Sequence, residues 1–325
     1  MGWRLGVLAS GLAALWLVAA AHAQQAKDWR HGVLEAKSDA GIVFMGAKGG
    51  FAEKQGIKIE IVQLRDDPTL LKALLSGELE SIEGSPGATI LAGSHGADIK
   101  ILGCYWPALP HGVFVREGVD KVADLKGKTI AIAGPSGVPD LVIRAMLRKY
   151  GVPVEDVSLA NLGSDLERYK ALVAGTAEAT VVSMEYVPIA EKSHIKLLLA
   201  AREVMPDYVR LCIMSTGKTL GARREDAVRF LAAEMSGLGF ALTHREESLA
   251  LARATAHIAA DDPRPAYIYD DVVKSRSVEP DMPIARDKLD WLQKELVAMG
   301  NMNAPYDLSR ILEPGIREQA LARRQ

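Results

Sequence analysis

The chain has 325 residues, of which 49% are hydrophobic and 25% charged, and its formal net charge is −2. This near balance excludes the basic footprint of a nucleic-acid-binding protein, so we expect no nucleic-acid partner. Two cysteines exclude a disulfide-rich scaffold, and the length suits two lobes better than one.

The first 23 residues read as a secretory signal peptide. Arg4 supplies a positive charge, residues 5–20 are apolar, and Ala21-His22-Ala23 is a small-x-small cleavage site. A membrane anchor would need a longer apolar run without such a site. No cysteine follows the site, so we expect no lipid anchor there. We therefore predict cleavage after Ala23 and export to the periplasm.

The chain after this segment alternates strands with helices. Asp67 has the pattern of a helix N-cap, Pro68 that of the first helical residue, and Gly77 that of a helix stop. The alternation implies βαβ units and a doubly wound, mostly parallel α/β sheet. Strands are predicted at 29–36, 58–64, 80–83 and 99–105, with helices at 39–52, 67–76 and 87–94.

A second copy of this pattern lies 98 residues further on. KALLSGELESIEGSP at 72–86 is answered by KALVAGTAEATVVSM at 170–184. The ordered matches also include capping residues and strand ends, so we predict two similar lobes that face each other. The matched pairs are Ser38 and Ser136, Asp66 and Ser164, Gly77 and Gly175, and Ser85 and Ser183.

The last third of the chain is mainly helical in pattern. A β-run at 208–215 precedes apolar residues at helical spacing over 224–242, 246–259 and 284–299. We expect these helices to return to the first lobe. The predicted organisation is lobe I at 28–114 and 215–325 and lobe II at 115–214, joined by two crossing segments that form a hinge.

The two cysteines leave two alternatives. Cys104 and Cys212 each lie in an apolar β-run, and in an oxidising compartment they could form a disulfide. Two buried free thiols are the simpler interpretation, and we expect them.

Searches for motifs of catalysis, metal binding and nucleotide binding are negative. The GKT triplets at 127–129 and 217–219 lack the leading glycine of a phosphate loop. The histidines form no HExxH motif, the cysteines no CxxC motif, and no GxSxG is present. We therefore expect no catalytic residue, no metal site and no cofactor.

Small polar residues follow the predicted strands at four corners, two in each lobe. In open α/β sheets, ligands bind outside the carboxyl ends of the strands, where helix N-termini attract anions. Each serine alone is explained as well by helix capping, but four corners at one cleft favour a ligand site. The corners are Ser38-Asp39, Gly84-Ser85, Ser136-Gly137 and Ser183 with Glu185.

The chain resembles a known family, the periplasmic solute-binding proteins of ABC importers. The resembling segments include GIVFMGAKGGFAEKQGIKIEIV at 41–62, with the glycine–aromatic pair Gly50-Phe51, and extend over 73–102, 124–132 and 169–190. The group of this family that the chain resembles binds nitrate, sulfonates, taurine and thiamine-pyrimidine precursors. The resemblance implies a two-lobed periplasmic-binding-protein fold, with the C-terminal helices on the first lobe and the ligand between the lobes.

The resemblance also implies the ligand-binding positions. They are Ser38, Asp39, Gly84, Ser85, Ser136, Gly137, Ser183 and Glu185, together with Trp106 and Tyr208, which either cover a ligand or pack at the hinge. Sulfonate and nitrate binders are expected to place a positive group in the cleft. Only Lys37 and Arg65 lie near the right corners, and this argues against those ligands.

The expected function is a monomeric periplasmic receptor that delivers a small organic solute to an ABC permease at the inner membrane. It is not expected to be an enzyme. Two alternatives remain open: an enzyme on the same fold acting on a small aromatic or pyrimidine-like metabolite, and a periplasmic sensor subunit.

Overall fold

A computed structural model describes residues 27–134 and 137–324. The predicted signal peptide and the predicted site residue Ser136 lie outside these ranges. Within them the chain forms two five-stranded sheets. The strands are β1 Lys27–Leu34, β2 Ile57–Leu64, β3 Ser81–Gly84, β4 Lys100–Trp106, β5 His111–Arg116, β6 Thr129–Ile132, β7 Ser158–Asn161, β8 Ala179–Ser183, β9 Ile195–Ala200 and β10 Leu211–Ser215.

Helices cover the faces of both sheets. They are α1 Ala40–Val43, α2 Met45–Lys48, α3 Phe51–Lys54, α4 Asp67–Ser76, α5 Pro86–Ser94, α6 Val138–Lys149, α7 Asp165–Ala174, α8 Val187–Ala190, α9 Gly217–Ala222, α10 Arg224–Ala241, α11 Arg245–Ala256, α12 Arg264–Ser275, α13 Arg286–Ala298 and α14 Pro314–Arg323. Single 3-10 turns occur at Val122–Leu125, Val154–Asp156, Met184–Tyr186, Glu191–Ser193, Ala201–Glu203 and Leu308–Arg310. Among the described residues, no helix combines the length and hydrophobicity needed to cross a bilayer.

The two sheets have the same topology. The first has the order β2-β1-β3-β10-β4 and the second β7-β6-β8-β5-β9. In each sheet three strands pair in parallel, and an antiparallel strand then separates the third from the last. Four of five strands therefore run in one direction, and the predicted two-lobed, mostly parallel fold is confirmed. We call the first sheet with its helices lobe I and the second with its helices lobe II.

The repeat is also visible in how the helices begin and end. Asp66 and Ser164 each accept a backbone N–H at the start of α4 and α7. Gly77 and Gly175 end these helices with φ values of 82° and 77°, a left-handed conformation that favours glycine. The expected cap at Asp67 is wrong by one residue, because Asp66 has the extended backbone of a cap while Asp67 is already helical.

The chain crosses between the lobes twice. β5 begins at His111 and pairs in the second sheet, and β10 begins at Leu211 and pairs in the first. Both changes of sheet therefore occur a few residues before the expected boundaries at 115 and 215. The connecting segments are 107–110 and 201–210. Their lobe I ends are adjacent, since Arg210 donates its backbone N–H to the carbonyl of Trp106, the last residue of β4, at 2.8 Å.

The C-terminal helices pack mainly on lobe I, as expected. α10 contacts α1, α2 and α3, α13 contacts α5, and α14 contacts β4. Two of these helices also reach lobe II: α12 contacts α8, and Glu295 of α13 pairs with Arg148 of α6 at 3.4 Å. The C-terminal segment therefore also reaches across to the second lobe.

The single helix expected at 39–52 is instead the three short helices α1, α2 and α3. Gly50 has a φ of 82°, which interrupts the helical backbone before α3. A Cβ at Gly41 would lie 1.8 Å from the Ser248 carbonyl oxygen, and one at Gly46 would lie 2.6 Å from a Glu234 carboxylate oxygen. The glycines therefore permit close packing of this segment against α10 and α11.

The expectation of free thiols is wrong, because Cys104 and Cys212 form a disulfide. The two cysteines lie directly opposite each other on the antiparallel strands β4 and β10. Two separate β-runs do not reveal this register, since it depends on the chain returning to the first sheet. The bond spans 108 residues, which contain every strand of the second sheet.

Candidate functional site

The facing edges of the two sheets form a cleft. At each edge the carboxyl ends of four strands meet the amino end of the antiparallel strand. The Ser38 N–H of lobe I donates to Glu185 Oε2 of lobe II at 3.3 Å. Lys37 Nζ lies 3.5 Å from Asp165 Oδ2, also across the cleft. These two contacts bring the predicted corners of the two lobes together.

A matched pair of aspartates lies at the two edges. Asp67 begins α4 and accepts the Ser85 N–H at 3.3 Å, and Asp165 begins α7 and accepts the Ser183 N–H at 3.4 Å. Burial raises the pKa of Asp67. Burial also disfavours ionisation of Asp165, but Lys37, Arg168 and the Ser183 N–H are among the groups that together outweigh burial, and the pKa of Asp165 falls to about 2. The repeat therefore supplies equivalent carboxylates in different electrostatic environments.

Arg210 brings a cation to the lobe I edge. Its Nη2 donates to Asp39 Oδ2 at 2.8 Å, and its Cζ lies 4.3 Å from the centre of the Trp106 ring. Asp39 holds the pKa of Arg210 above its ordinary value despite the opposing effect of burial. The guanidinium is thus fixed by an ion pair on one side and by an aromatic face on the other.

Four buried polar atoms in this region have no hydrogen-bond partner among the described residues: Ser38 Oγ, Trp106 Nε1, His111 Nδ1 and Arg210 Nη1. Buried polar groups are nearly always paired, so a cluster of unpaired ones requires an explanation. Trp106 and Ser38 are 0% and 4% exposed, so bulk water does not readily satisfy them. Burial also lowers the pKa of His111 to about 3, which leaves it neutral at ordinary pH.

The two repeated serines have different contacts. Ser85 Oγ does not cap α5 and instead lies 3.1 Å from the hydroxyl of Tyr208. Ser183 Oγ accepts the Glu185 N–H at 3.4 Å and so caps the following turn. Burial raises the pKa of Tyr208 to about 12, which keeps its hydroxyl protonated as a donor.

The two glycines of the predicted site shape the edges. A Cβ at Gly84 would lie 2.6 Å from Asp67 Oδ1, so only glycine allows this approach. Gly137 precedes α6 and donates its N–H to the carbonyl of Gly134 at 3.3 Å. Ser136, the remaining predicted residue, lies outside the described residues.

Two buried carboxyl groups lie within or beneath the cleft. Glu185 is 6% exposed, and burial raises its pKa. Glu83 is equally buried on β3, and burial raises its pKa to about 7. The hydroxyl of Tyr105 donates a hydrogen bond to Glu83.

Arg210 and His111 were not among the site residues predicted from the sequence. Of the two expected cations, Arg65 is 81% exposed and pairs with Asp66, whereas Lys37 lies at the cleft and pairs with Asp165. Arg210 and His111 lie at the amino ends of β10 and β5. An antiparallel strand places its amino end at the edge where the parallel strands have their carboxyl ends. Arg210 and His111 therefore reach the cleft although neither follows a strand.

One of two cavities adjoins these residues, and the other lies apart from them. A cavity of about 40 Å³ borders Lys37, Asp39, Glu83 and Arg210. A larger one, of about 530 Å³, lies between α6 and α13 and is lined by Leu141, Arg144, Met205 and Leu292, among others. The described residues contain no group of three or more His, Cys, Asp or Glu arranged to hold a metal ion.

Comparisons with known proteins agree on the fold. A family model described as NMT1/THI5 like matches residues 37–248, well over half of the chain. The crystal structure of the periplasmic aliphatic sulphonate binding protein SsuA from Escherichia coli superposes with a TM-score of 0.71 at 19% identity. The superposition covers 89% of this chain and 92% of that one.

Similar sequences include both binding proteins and an enzyme. A binding protein of Brucella abortus is 31% identical over 122 residues, which is 37% of this chain and only 37% of that protein. A Bacillus subtilis protein named for binding aliphatic sulfonates is 24% identical over 282 residues, 82% of this chain and 84% of that protein. The 4-amino-5-hydroxymethyl-2-methylpyrimidine phosphate synthase of Uromyces fabae is 27% identical over 142 residues, 43% of this chain and 40% of that enzyme.

Proposed function

This chain belongs to the NMT1/THI5-like family, and we propose that it is an extracytoplasmic receptor that captures a small organic solute between its two lobes. It delivers the solute to an ABC permease at the inner membrane and acts in the periplasm as a monomer. The two-lobed fold and the named sulfonate-binding relatives support this proposal.

The observation that carries the proposal is the set of four unpaired polar atoms at the cleft. Trp106 Nε1 and Arg210 Nη1 can only donate hydrogen bonds, whereas the Ser38 hydroxyl can donate or accept. A solute with acceptor atoms would satisfy these groups together. Arg210 Nη1 is a cationic donor without a partner in this structure, so sulfonates and carboxylates belong among the candidate ligands.

Binding is coupled to the relative position of the lobes. With Ser38 in contact with Glu185 and Lys37 with Asp165, the cavity beside Arg210 measures only about 40 Å³. A small organic solute needs more room, so the lobes open to admit it. The lobes then close around the solute with their edges further apart than in the ligand-free structure. The solute shifts the population toward this bound form, because it contacts both edges only there.

A second candidate function is an enzyme on this fold, favoured by the match to the Uromyces fabae synthase. Both cysteines of the chain are joined in a disulfide, so neither is a free thiol nucleophile. A sensor subunit would use the same binding site with a signalling partner in place of a permease. Neighbouring genes for a permease and an ATPase, or for a kinase, separate transport from sensing.

The proposal is tested by a thermal-shift screen of purified protein against sulfonates, carboxylates, amines and pyrimidines. A solute at 100 times its dissociation constant adds about 2.7 kcal/mol of stability, which raises Tm by a few degrees. Ser38→Ala should weaken binding of the hit, whereas Ser76→Ala, at an exposed serine on α4, should not. Absence of any hit, or chemical turnover of the bound solute, would contradict the receptor function.

A further inference from the structure

The carboxylates around the cleft outnumber the cations. Five acidic side chains lie there, and three cations form ion pairs with members of this group: Lys37, Arg168 and Arg210. His111 contributes no charge, because burial keeps it neutral at ordinary pH. The acidic residues are Asp39, Asp67, Glu83, Asp165 and Glu185.

All three cations are already paired. Arg210 lies 2.8 Å from Asp39, while Lys37 and Arg168 lie 3.5 Å and 2.5 Å from Asp165. Among the described residues, none forms an ion pair with the remaining three acids, Asp67, Glu83 and Glu185. These acids accept hydrogen bonds from neutral donors. Asp67 accepts from the Ser85 N–H, Glu185 from the Ser38 N–H, and Glu83 from the Tyr105 hydroxyl.

Glu185 is the acid placed to meet a ligand. It follows β8 and reaches across the cleft to the Ser38 N–H. Beside that contact the Ser38 hydroxyl, on a residue only 4% exposed, has no partner among the described residues. A fourth cation, Arg264, also lowers the pKa of Glu185, but it is held by Asp262 through hydrogen bonds of 2.7–3.1 Å.

We infer that the solute captured in the cleft carries a protonated amine, with Glu185 as its counter-ion and the Ser38 hydroxyl as an additional acceptor. This inference rests on the proposed receptor function and specifies its ligand class. An ammonium group supplies the ion-pair partner that Glu185 lacks, and it donates up to three hydrogen bonds. The other end of the solute carries acceptor atoms for Arg210 Nη1 and Trp106 Nε1.

The test compares matched probes on the wild-type protein by calorimetric titration. The pairs are 3-aminopropane-1-sulfonate with propane-1-sulfonate, and 4-aminobutyrate with butyrate, in addition to the probes of the broad screen. We expect the amine-bearing member of a binding pair to bind at least tenfold more tightly. Equal or tighter binding of the amine-free member overturns the inference and leaves the receptor function standing. Failure of every probe in the broad screen counts against the receptor function itself.

A variant then assigns the preference to a residue. Glu185→Gln keeps the shape of the side chain and removes its charge, so it should reduce the amine preference at least fivefold with little effect on amine-free probes. Glu191→Gln, at an exposed glutamate of the same lobe, is the matched control and should keep the preference. An unchanged preference in a folded Glu185→Gln protein would remove Glu185 from the role of counter-ion.

Discussion

At the scale of single residues, Arg210 explains why this cleft can accept a polar solute. Its ion pair with Asp39 and its position over the Trp106 ring fix one face of the guanidinium, and Nη1 remains without a partner. A guanidinium held in this way loses little further freedom when it donates to a ligand. Lysine at this position would keep the charge but not the planar fork.

We predict that Arg210→Gln weakens binding of any solute found in the screen and destabilises the free protein. The unfolding free energy should fall by about 2 kcal/mol, because Asp39 loses its partner in a mostly buried site. Arg65→Gln is the control, since Arg65 is 81% exposed, and it should change stability by less than about 0.5 kcal/mol. Urea unfolding and calorimetric titration of both variants provide the measurement. Wild-type affinity in Arg210→Gln would exclude a ligand role for this residue.

Glu83 illustrates a different effect, the energetic cost of a buried acid. It lies on β3 immediately before Gly84, and burial raises its pKa from 4.5 to about 7. An acid with a raised pKa binds its proton more tightly in the folded state. Its contribution to stability is therefore complete at low pH and is lost as the pH rises through the folded-state pKa.

The pH dependence of stability follows from this sign. Between about pH 4.5 and pH 7.5, wild type should lose roughly 2–3 kcal/mol relative to Glu83→Gln, which cannot ionise there. Unfolding in urea at several pH values measures the difference. The control Glu53→Gln, at an exposed site on α3, should follow the wild type. A difference that stays constant with pH would show that Glu83 does not titrate in this range.

At the scale of elements, the regular parts of the fold were predictable from local signals. Asp66, Ser164, Gly77 and Gly175 mark helix ends through capping and backbone conformation, which depend on neighbouring residues alone. The parallel strands were predictable because they alternate with these helices. Most of the predicted corner residues accordingly lie at the facing edges, although their role in binding stays a prediction.

The direction and pairing of the antiparallel strands could not be predicted from local sequence signals. β5 and β10 pair with strands far away in sequence, and the register decides which residues meet. The disulfide, His111 and Arg210 all depend on that pairing. Each was missed for the same physical reason, since the sequence pattern of a strand does not specify its direction within the sheet.

The disulfide should stabilise the protein substantially. It joins β4 to β10 and closes a loop of 108 residues, so it restricts the unfolded chain strongly. The chain-entropy argument gives roughly 5 kcal/mol for a loop of this length. Cys104→Ala with Cys212→Ala should lower Tm by several degrees, and reductant should lower the Tm of wild type but not of the double variant. Equal Tm values with and without reductant would contradict this contribution.

At the scale of the whole molecule, two copies of one βαβ pattern form a binding site that neither copy contains alone. The repeat places Asp67 with Ser85 on one edge and Asp165 with Ser183 on the other. The lobes differ in what the antiparallel strand adds, Arg210 in lobe I and His111 in lobe II. The cleft is therefore pseudo-symmetric in backbone and asymmetric in charge, which suits a solute with two different ends.

Two contacts hold the facing corners together, in addition to the packing of α12 and α13 on lobe II. The Lys37–Asp165 pair is partly exposed, with 45% of the Lys37 side chain accessible, and such pairs contribute less than about 1 kcal/mol. The Ser38–Glu185 hydrogen bond adds a comparable amount. We predict that Lys37→Ala shifts the ligand-free protein toward the open form, seen as a larger radius of gyration by X-ray scattering, and that Lys48→Ala on α2 does not. An unchanged radius would show that this pair does not hold the lobes together.

The most direct test of the central claim is a crystal structure of the protein with a solute identified in the screen. We predict that the solute lies between the two sheet edges, with acceptor atoms within hydrogen-bonding distance of Arg210 Nη1 and Trp106 Nε1. A solute bound elsewhere, for example in the cavity between α6 and α13, with Arg210 and Trp106 making no contact to it, would contradict the account.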